Sequence, residues 1–209
     1  MTAHLPRRMR RIFHVPKGVA YAVENSRLGI WFAILLGFRW IDMDLHVTKD
    51  GVIVCGHWGR IREDHFIVPD WFRAKYGDDP QVGDVLWSDL KQLKTRRLGW
   101  RGRSRRFAYI TAEQAMRTIA RRSKRLGLAA ELKVAISAIY LDAARRRAGL
   151  PKERVIVMTL SDHSRRPWAW LRPFKQLGYV TVILARGAVP RSWEPYIDYV
   201  RGRWVRKEG

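Results

Sequence analysis

Residues 40–57 read WIDMDLHVTKDGVIVCGH. The run from Ile41 to Val47 has the apolar, β-branched character of a strand. Alternate residues of a strand share a face. Asp42, Asp44 and His46 therefore point one way, and Ile41, Met43, Leu45 and Val47 the other. Thr48-Lys49-Asp50-Gly51 is a turn with Asp-Gly at its tip. Val52 to Cys55 runs back as a short second strand and delivers His57. Two carboxylates on one face of a mostly apolar strand are costly to bury without compensation. A divalent cation compensates both, and oxygen-only ligation favours Mg2+ or Ca2+. The same pattern also fits a solvated outer face of an edge strand, and this segment alone leaves both readings open.

The rest of the chain is placed around this hairpin. Met9 to His14 reads as a first strand. Glu24-Asn25-Ser26 opens a helix that runs to about Leu36 and stops at Gly37. Residues 58–108 read as irregular, with one helical piece from Trp87 to Leu93 and a Gly- and Arg-rich surface loop over 99–106. Thr111 and Gln114 have the spacing of a capping box. The helix they start is expected to reach Leu126, with Gly127 as its cap. Leu128 to Val134 reads as a strand carrying Glu131 and Lys133. A helix from Ile136 to Ala148, a strand from Val155 to Leu160, a helix from Trp168 to Leu177 and a strand from Tyr179 to Leu184 follow. Tyr196 to Val200 is a candidate last strand. Strands alternating with helices imply parallel pairing with chemistry at the carboxyl ends of the strands.

At 209 residues the chain is long enough for one domain with its own core, here taken as 1–209. Its 41 basic residues against 19 acidic ones give a net charge of +22, a field that attracts polyanions. The basic residues fall in many short runs, such as Arg121-Arg122 and Arg145 to Arg147, so no one segment concentrates them. They read mainly as solvated faces, with polyanion contact incidental. The single cysteine, Cys55, excludes an internal disulfide and a multi-cysteine zinc site. The longest apolar stretch, Leu28 to Phe38, is too short to span a bilayer. The expectation is a soluble, cytoplasmic protein. Trp31 and Trp40 read as packing residues. Trp58, Trp168, Trp193 and Trp204 are left to line a pocket, stack on bases or cover apolar surface.

These residues together resemble the glycerophosphodiester phosphodiesterase family. The likeness is carried by His14, Val23-Glu24-Asn25-Ser26, Gly37, Ile41-Asp42-Met43-Asp44, Thr48-Lys49-Asp50-Gly51, Gly56-His57 and Glu131-Leu132-Lys133. It covers residues 10 to about 160. The resemblance implies a TIM barrel and metal-dependent cleavage of a small phosphodiester. Asp42, Asp44 and Glu131 would hold one divalent ion, Mg2+ or Ca2+. His14 and His57 would serve as general acid and base, and Lys133 would face a phosphate oxygen. In the family a glycerol hydroxyl attacks phosphorus first, and water opens the resulting cyclic phosphate. The sequence departs from the pattern at Val15, where the family has Arg; Lys17 is a candidate substitute. It departs also at Asp42 for Glu, Val23 for Pro and Trp58 for Asp. Glu24 reads equally as a helix brace or a substrate contact.

Only about six barrel strands are legible, so an incomplete barrel is expected. The segment from Tyr196 to Trp204, or a second copy of the chain, would cover the gap. The competing reading is a barrel with impaired turnover that holds a polyanion, either nucleic acid or an anionic surface.

Overall fold

The computed structural model describes residues 12–13, 25–98, 104–162, 164–185 and 191–202. In chain order the strands are β1 (Ile12–Phe13), β2 (Trp40–Val47), β3 (Ile53–Cys55), β4 (Phe66–Ile67), β5 (Lys94–Leu98), β6 (Ser104–Ala108), β7 (Ile110–Thr111), β8 (Gly127–Leu132), β9 (Val155–Leu160), β10 (Val180–Ala185) and β11 (Tyr199–Gly202). The helices are α1 (Arg27–Leu35), α2 (Asp70–Tyr76), α3 (Trp87–Leu90), α4 (Ala112–Arg122), α5 (Ala138–Ala148) and α6 (Pro167–Gln176).

Six strands, β1, β2, β8, β9, β10 and β11, pair in parallel in that order. α-Helices cross between the first five, as the alternation of elements requires, and a 3-10 helix over Arg191–Tyr196 precedes β11. This is the arrangement of a TIM-like (β/α) barrel left open: among the described residues β11 does not meet β1. Tyr199–Gly202 is thus the sixth strand rather than a cover over the gap, and Tyr196 stacks on Trp168 of α6 with ring centroids 4.7 Å apart. Trp204 lies outside the described residues. No helix among them is long and apolar enough to cross a membrane.

The alternation read from β2 decides its packing. Ile41, Met43 and Leu45 are buried in the main core against α1, α4 and α5. Each contributes roughly 1.5–3 kcal/mol of hydrophobic stabilisation. Trp40 lies on the opposite, inner face with Ala129, Ile156, Met158 and Val182. Gly127 is needed there, because a Cβ would come within 2.4 Å of the Trp40 ring. The expectation that Gly127 caps α4 is therefore corrected. The helix ends at Arg122, and the Ser123 hydroxyl accepts from the amides of Arg125 and Leu126. Its start is as expected, with reciprocal Thr111 and Gln114 bonds of 3.1 Å. Ser26 caps α1, and Gly37 takes the left-handed conformation that stops it. The strand expected to run to Val134 ends at Leu132, so Lys133 stands just beyond it, and α5 starts at Ala138 rather than Ile136.

The largest correction concerns 58–108. This stretch folds into α2, α3 and a β4-β5-β6 sheet. A second core lies under it, with Phe66, Phe72, Val82, Leu90 and Tyr109 packed together with Val54 of β3. The expected 99–106 loop is partly strand: Arg96 pairs with Arg106 and Arg97 with Arg105 in the β5-β6 register. Doubled arginines erase the apolar–polar alternation that marks a strand, which hid these two.

An ion network ties α5 to the start of β10. Asp142 accepts from Arg145, Arg146 and the Tyr179 hydroxyl. Burial alone would raise its carboxyl, but the bonds from Tyr179, Arg146 and Arg145 bring it down to about 2. A depressed folded-state value contributes stability above the ordinary 3.8 and loses it as pH falls toward 2. Asp142→Asn is expected to lower the melting temperature at pH 7. The gap to the parent should close as pH falls from about 4 to about 2. Parallel melting curves over that range check it; a gap independent of pH would exclude the network as its cause.

Candidate active site

The site is built at the carboxyl end of β2. Register pairs Asp44 with Glu131 and Asp42 with Ala129. Partners in a parallel ladder face the same side, so Asp42, Asp44 and Glu131 share the inner face of the sheet. Gly56 donates its amide to the Asp44 carbonyl at 2.9 Å, which closes the hairpin and brings in His57.

Asp44, 8% exposed, is the centre of the cluster. Its Oδ2 accepts from Asn25 Nδ2 at 2.8 Å and lies 3.1 Å from His57 Nδ1. Its Oδ1 pairs with Lys133 Nζ at 2.8 Å. Burial would raise this carboxyl, but the bonds from His57, Lys133 and Asn25 and the lysine charge outweigh it. They hold the group well below the usual carboxylate range. An ionised Asp44 can only accept, so its contact with His57 requires Nδ1 to be the donor.

Lys133 also bonds Glu131, so one ammonium bridges two buried carboxylates. Burial would lower its pKa; Asp44 and Glu131 more than offset that and raise it. The Glu131 carboxyl is nonetheless pushed up, by burial first and then by the charge on Asp42. His46, also on the inner face, is driven down to about 4 chiefly by burial and stays neutral at pH 7.

Among the described residues no group of three or more His, Cys, Asp or Glu side chains is arranged to hold an ion. The positive charge between Asp44 and Glu131 is that of Lys133. The donor set still suits a hard cation. Three carboxylates on one face against one ammonium leave a formal charge of two negative, which a hard cation would offset.

The structure therefore brings together His57, Asp42, Asp44, Glu131 and Lys133. His14, Lys17 and Glu24 lie outside the described residues. Sequence reasoning undervalued Asn25. It clamps Asp44 twice, since its Oδ1 also accepts the Asp44 amide at 2.7 Å. It does so at φ +57°, a left-handed conformation that asparagine tolerates better than most residues. Trp58 packs edge-on to His57 and stacks on His65 at 3.8 Å. His65 has thus a neighbour at the site, although it belongs to no motif.

The sequence model of the Glycerophosphoryl diester phosphodiesterase family matches residues 14–169. The fold is similar to that of a Silicibacter pomeroyi DSS-3 protein assigned as a glycerophosphoryl diester phosphodiesterase. The TM-score is 0.62 at 19% identity, over 77% of this chain and 59% of that one. It is similar also to the glycerophosphoryl diester phosphodiesterase domain of a Mycobacterium tuberculosis protein, with TM-score 0.54 and 19% identity over 82% and 58% of the two chains. For a glycerophosphodiester phosphodiesterase from Agrobacterium tumefaciens str. C58 the figures are 0.50 and 14%, over 87% and 91%. The chain thus spans about three fifths of the first two structures. A comparison with curated proteins finds no match.

Proposed function

The chain belongs to the glycerophosphoryl diester phosphodiesterase family, and we propose that it is a metal-dependent phosphoric diester hydrolase acting on small glycerophosphodiester-like substrates. The observation that carries this is the Asp44 cluster: one ionised carboxylate gripped by Asn25, Lys133 and His57 at neighbouring strand ends. A phosphodiester is an anion whose charge grows on the way to cleavage. Fixed positive charge in a partly dry site lowers that barrier more than it would in water.

Each side chain takes a task in this reading. Asp44 orients His57 and stabilises the imidazolium that forms when Nε2 accepts a proton. His14, next to Phe13 in the sequence, would complete the acid–base pair, giving a proton where His57 takes one. Lys133 would swing from Glu131 to a phosphate oxygen. Enzymes of the family generally use a divalent cation; here Asp42, Asp44 and Glu131 would hold it. Bound there, Mg2+ or Ca2+ would supply Lewis-acid charge neutralisation. Lys17 and Glu24 are proposed substrate contacts.

Hydrolysis of an aryl phosphodiester tests the reading. Activity is expected with Mg2+ or Ca2+ and is expected to disappear with chelator, and either cation should raise the melting temperature. Turnover undiminished by chelator would remove the metal from the proposal. No turnover under any condition, with cation binding retained, would favour a barrel with impaired turnover.

A further inference from the structure

The basic residues are scattered in sequence, but the topology gathers some of them. In parallel β/α units every helix-to-strand turn emerges at the end of the sheet opposite the carboxyl ends of the strands. The α1-to-β2 and α4-to-β8 turns are neighbours there, because α1 packs on α4 and β2 pairs with β8. The Gly127 amide donates to the Arg39 carbonyl at 2.8 Å, which fixes the two turns side by side. Arg39, Arg121, Arg122, Lys124 and Arg125 are all exposed at this corner. Residues 35–41 and 121–130, which form it, contain no Asp or Glu. Among these cations Leu35 and Leu36 are 74% and 62% exposed and Trp31 is 40% exposed. The Arg122 guanidinium lies 5.2 Å from the Trp31 ring centroid. A groove of about 400 Å³ runs from it along α1 and α4, lined by Arg27, Trp31, Gln114, Arg117, Thr118, Arg121 and Arg122, with Arg117 paired to Glu113.

We infer that this corner docks the protein on an anionic phospholipid surface, with the catalytic end facing away from the bilayer. Exposed leucines and a tryptophan at an end of the sheet that also exposes arginines match the two layers of a lipid interface. The leucines and Trp31 enter the boundary between headgroups and acyl chains, and the guanidinium groups pair with headgroup phosphates. A nucleic acid would satisfy the arginines but would leave both leucines in water, which is why the bilayer is favoured. The inference stands on surface chemistry alone and does not rest on the proposed catalysis.

Sedimentation of the full chain with vesicles tests it. The protein is expected to pellet with phosphatidylcholine vesicles containing phosphatidylglycerol, and not with phosphatidylcholine alone. The double variant Leu35→Ser/Leu36→Ser should weaken binding to the anionic vesicles about tenfold or more, because it removes apolar area and no charge. Arg121→Gln/Arg122→Gln should weaken it by about tenfold as well. Circular dichroism melts confirm that both variants are folded, and both should hydrolyse a soluble aryl phosphodiester at the parent rate. Failure of the parent protein to prefer anionic vesicles would overturn the inference. So would parent-like binding by the leucine variant. Displacement from the vesicles by a single-stranded RNA that binds the leucine variant equally well would assign the corner to nucleic acid instead.

Discussion

His57→Ala is expected to lower phosphodiester hydrolysis by about 100- to 10,000-fold, the usual cost of removing a general acid or base. The ring stands where its Nδ1 is tied to Asp44 at 3.1 Å while 44% of the side chain reaches solvent. It is positioned by the protein yet open to a substrate. Its removal takes away little buried area, so the fold and cation binding should survive. Asp44 keeps its bonds from Asn25 and Lys133. The informative measurements are kcat on an aryl phosphodiester, the melting temperature and its rise with added cation. Loss of kcat with the other two unchanged places His57 in the chemistry. Added imidazole should restore part of the rate by entering the space left by the ring. Parent-like turnover would remove His57 from the mechanism.

Lys133→Met should have the largest effect on stability. The ammonium compensates Asp44 and Glu131 together, and both carboxylates are nearly buried, at 8% and 5% exposure. Breaking a buried pair by removing one partner costs about 3–5 kcal/mol, because uncompensated charge is left behind. In the parent, Lys133 helps hold the Asp44 carboxyl below its ordinary range. Such a group contributes stability above its unfolded pKa and loses it as pH falls. Without the lysine Asp44 keeps its bonds from His57 and Asn25, but the Glu131 carboxyl, already pushed up by burial and by Asp42, loses the charge that opposed the rise. For that group the sign is reversed: a raised carboxyl costs stability when ionised, so the variant should regain stability relative to the parent as pH falls and Glu131 protonates. Divalent cation should recover part of the loss at pH 7 and more of it than it adds to the parent. Denaturant melts at two pH values, with cation and with chelator, read all three effects. A variant as stable as the parent at pH 7 in chelator would show that the bridge adds nothing.

Much of the site was legible because strand geometry is local. Asp42 and Asp44 must share a face, and the Thr48–Gly51 turn must return the chain toward them. Gly37, Ser26 and the Thr111–Gln114 box mark helix ends through bonds made within a few residues. Those features follow from backbone periodicity and short-range hydrogen bonding, which need no knowledge of the rest of the fold. The 58–108 segment was not legible for the converse reason. Its order comes from Phe66, Phe72, Leu90 and Tyr109 closing over Val54, residues far apart in the chain whose contact no local pattern announces.

What the sequence determined alone is the inner and outer face of β2, the alternating parallel units and the acids, histidine and lysine of the site. What the tertiary structure decided is which charge meets which. It placed the Lys133 ammonium between Asp44 and Glu131, and turned Asn25 onto Asp44 from another element. It also brought dispersed arginines and two exposed leucines to the same end of the sheet, opposite the site. Electrostatic energy depends on distance through space and on burial, and neither is written in separation along the chain.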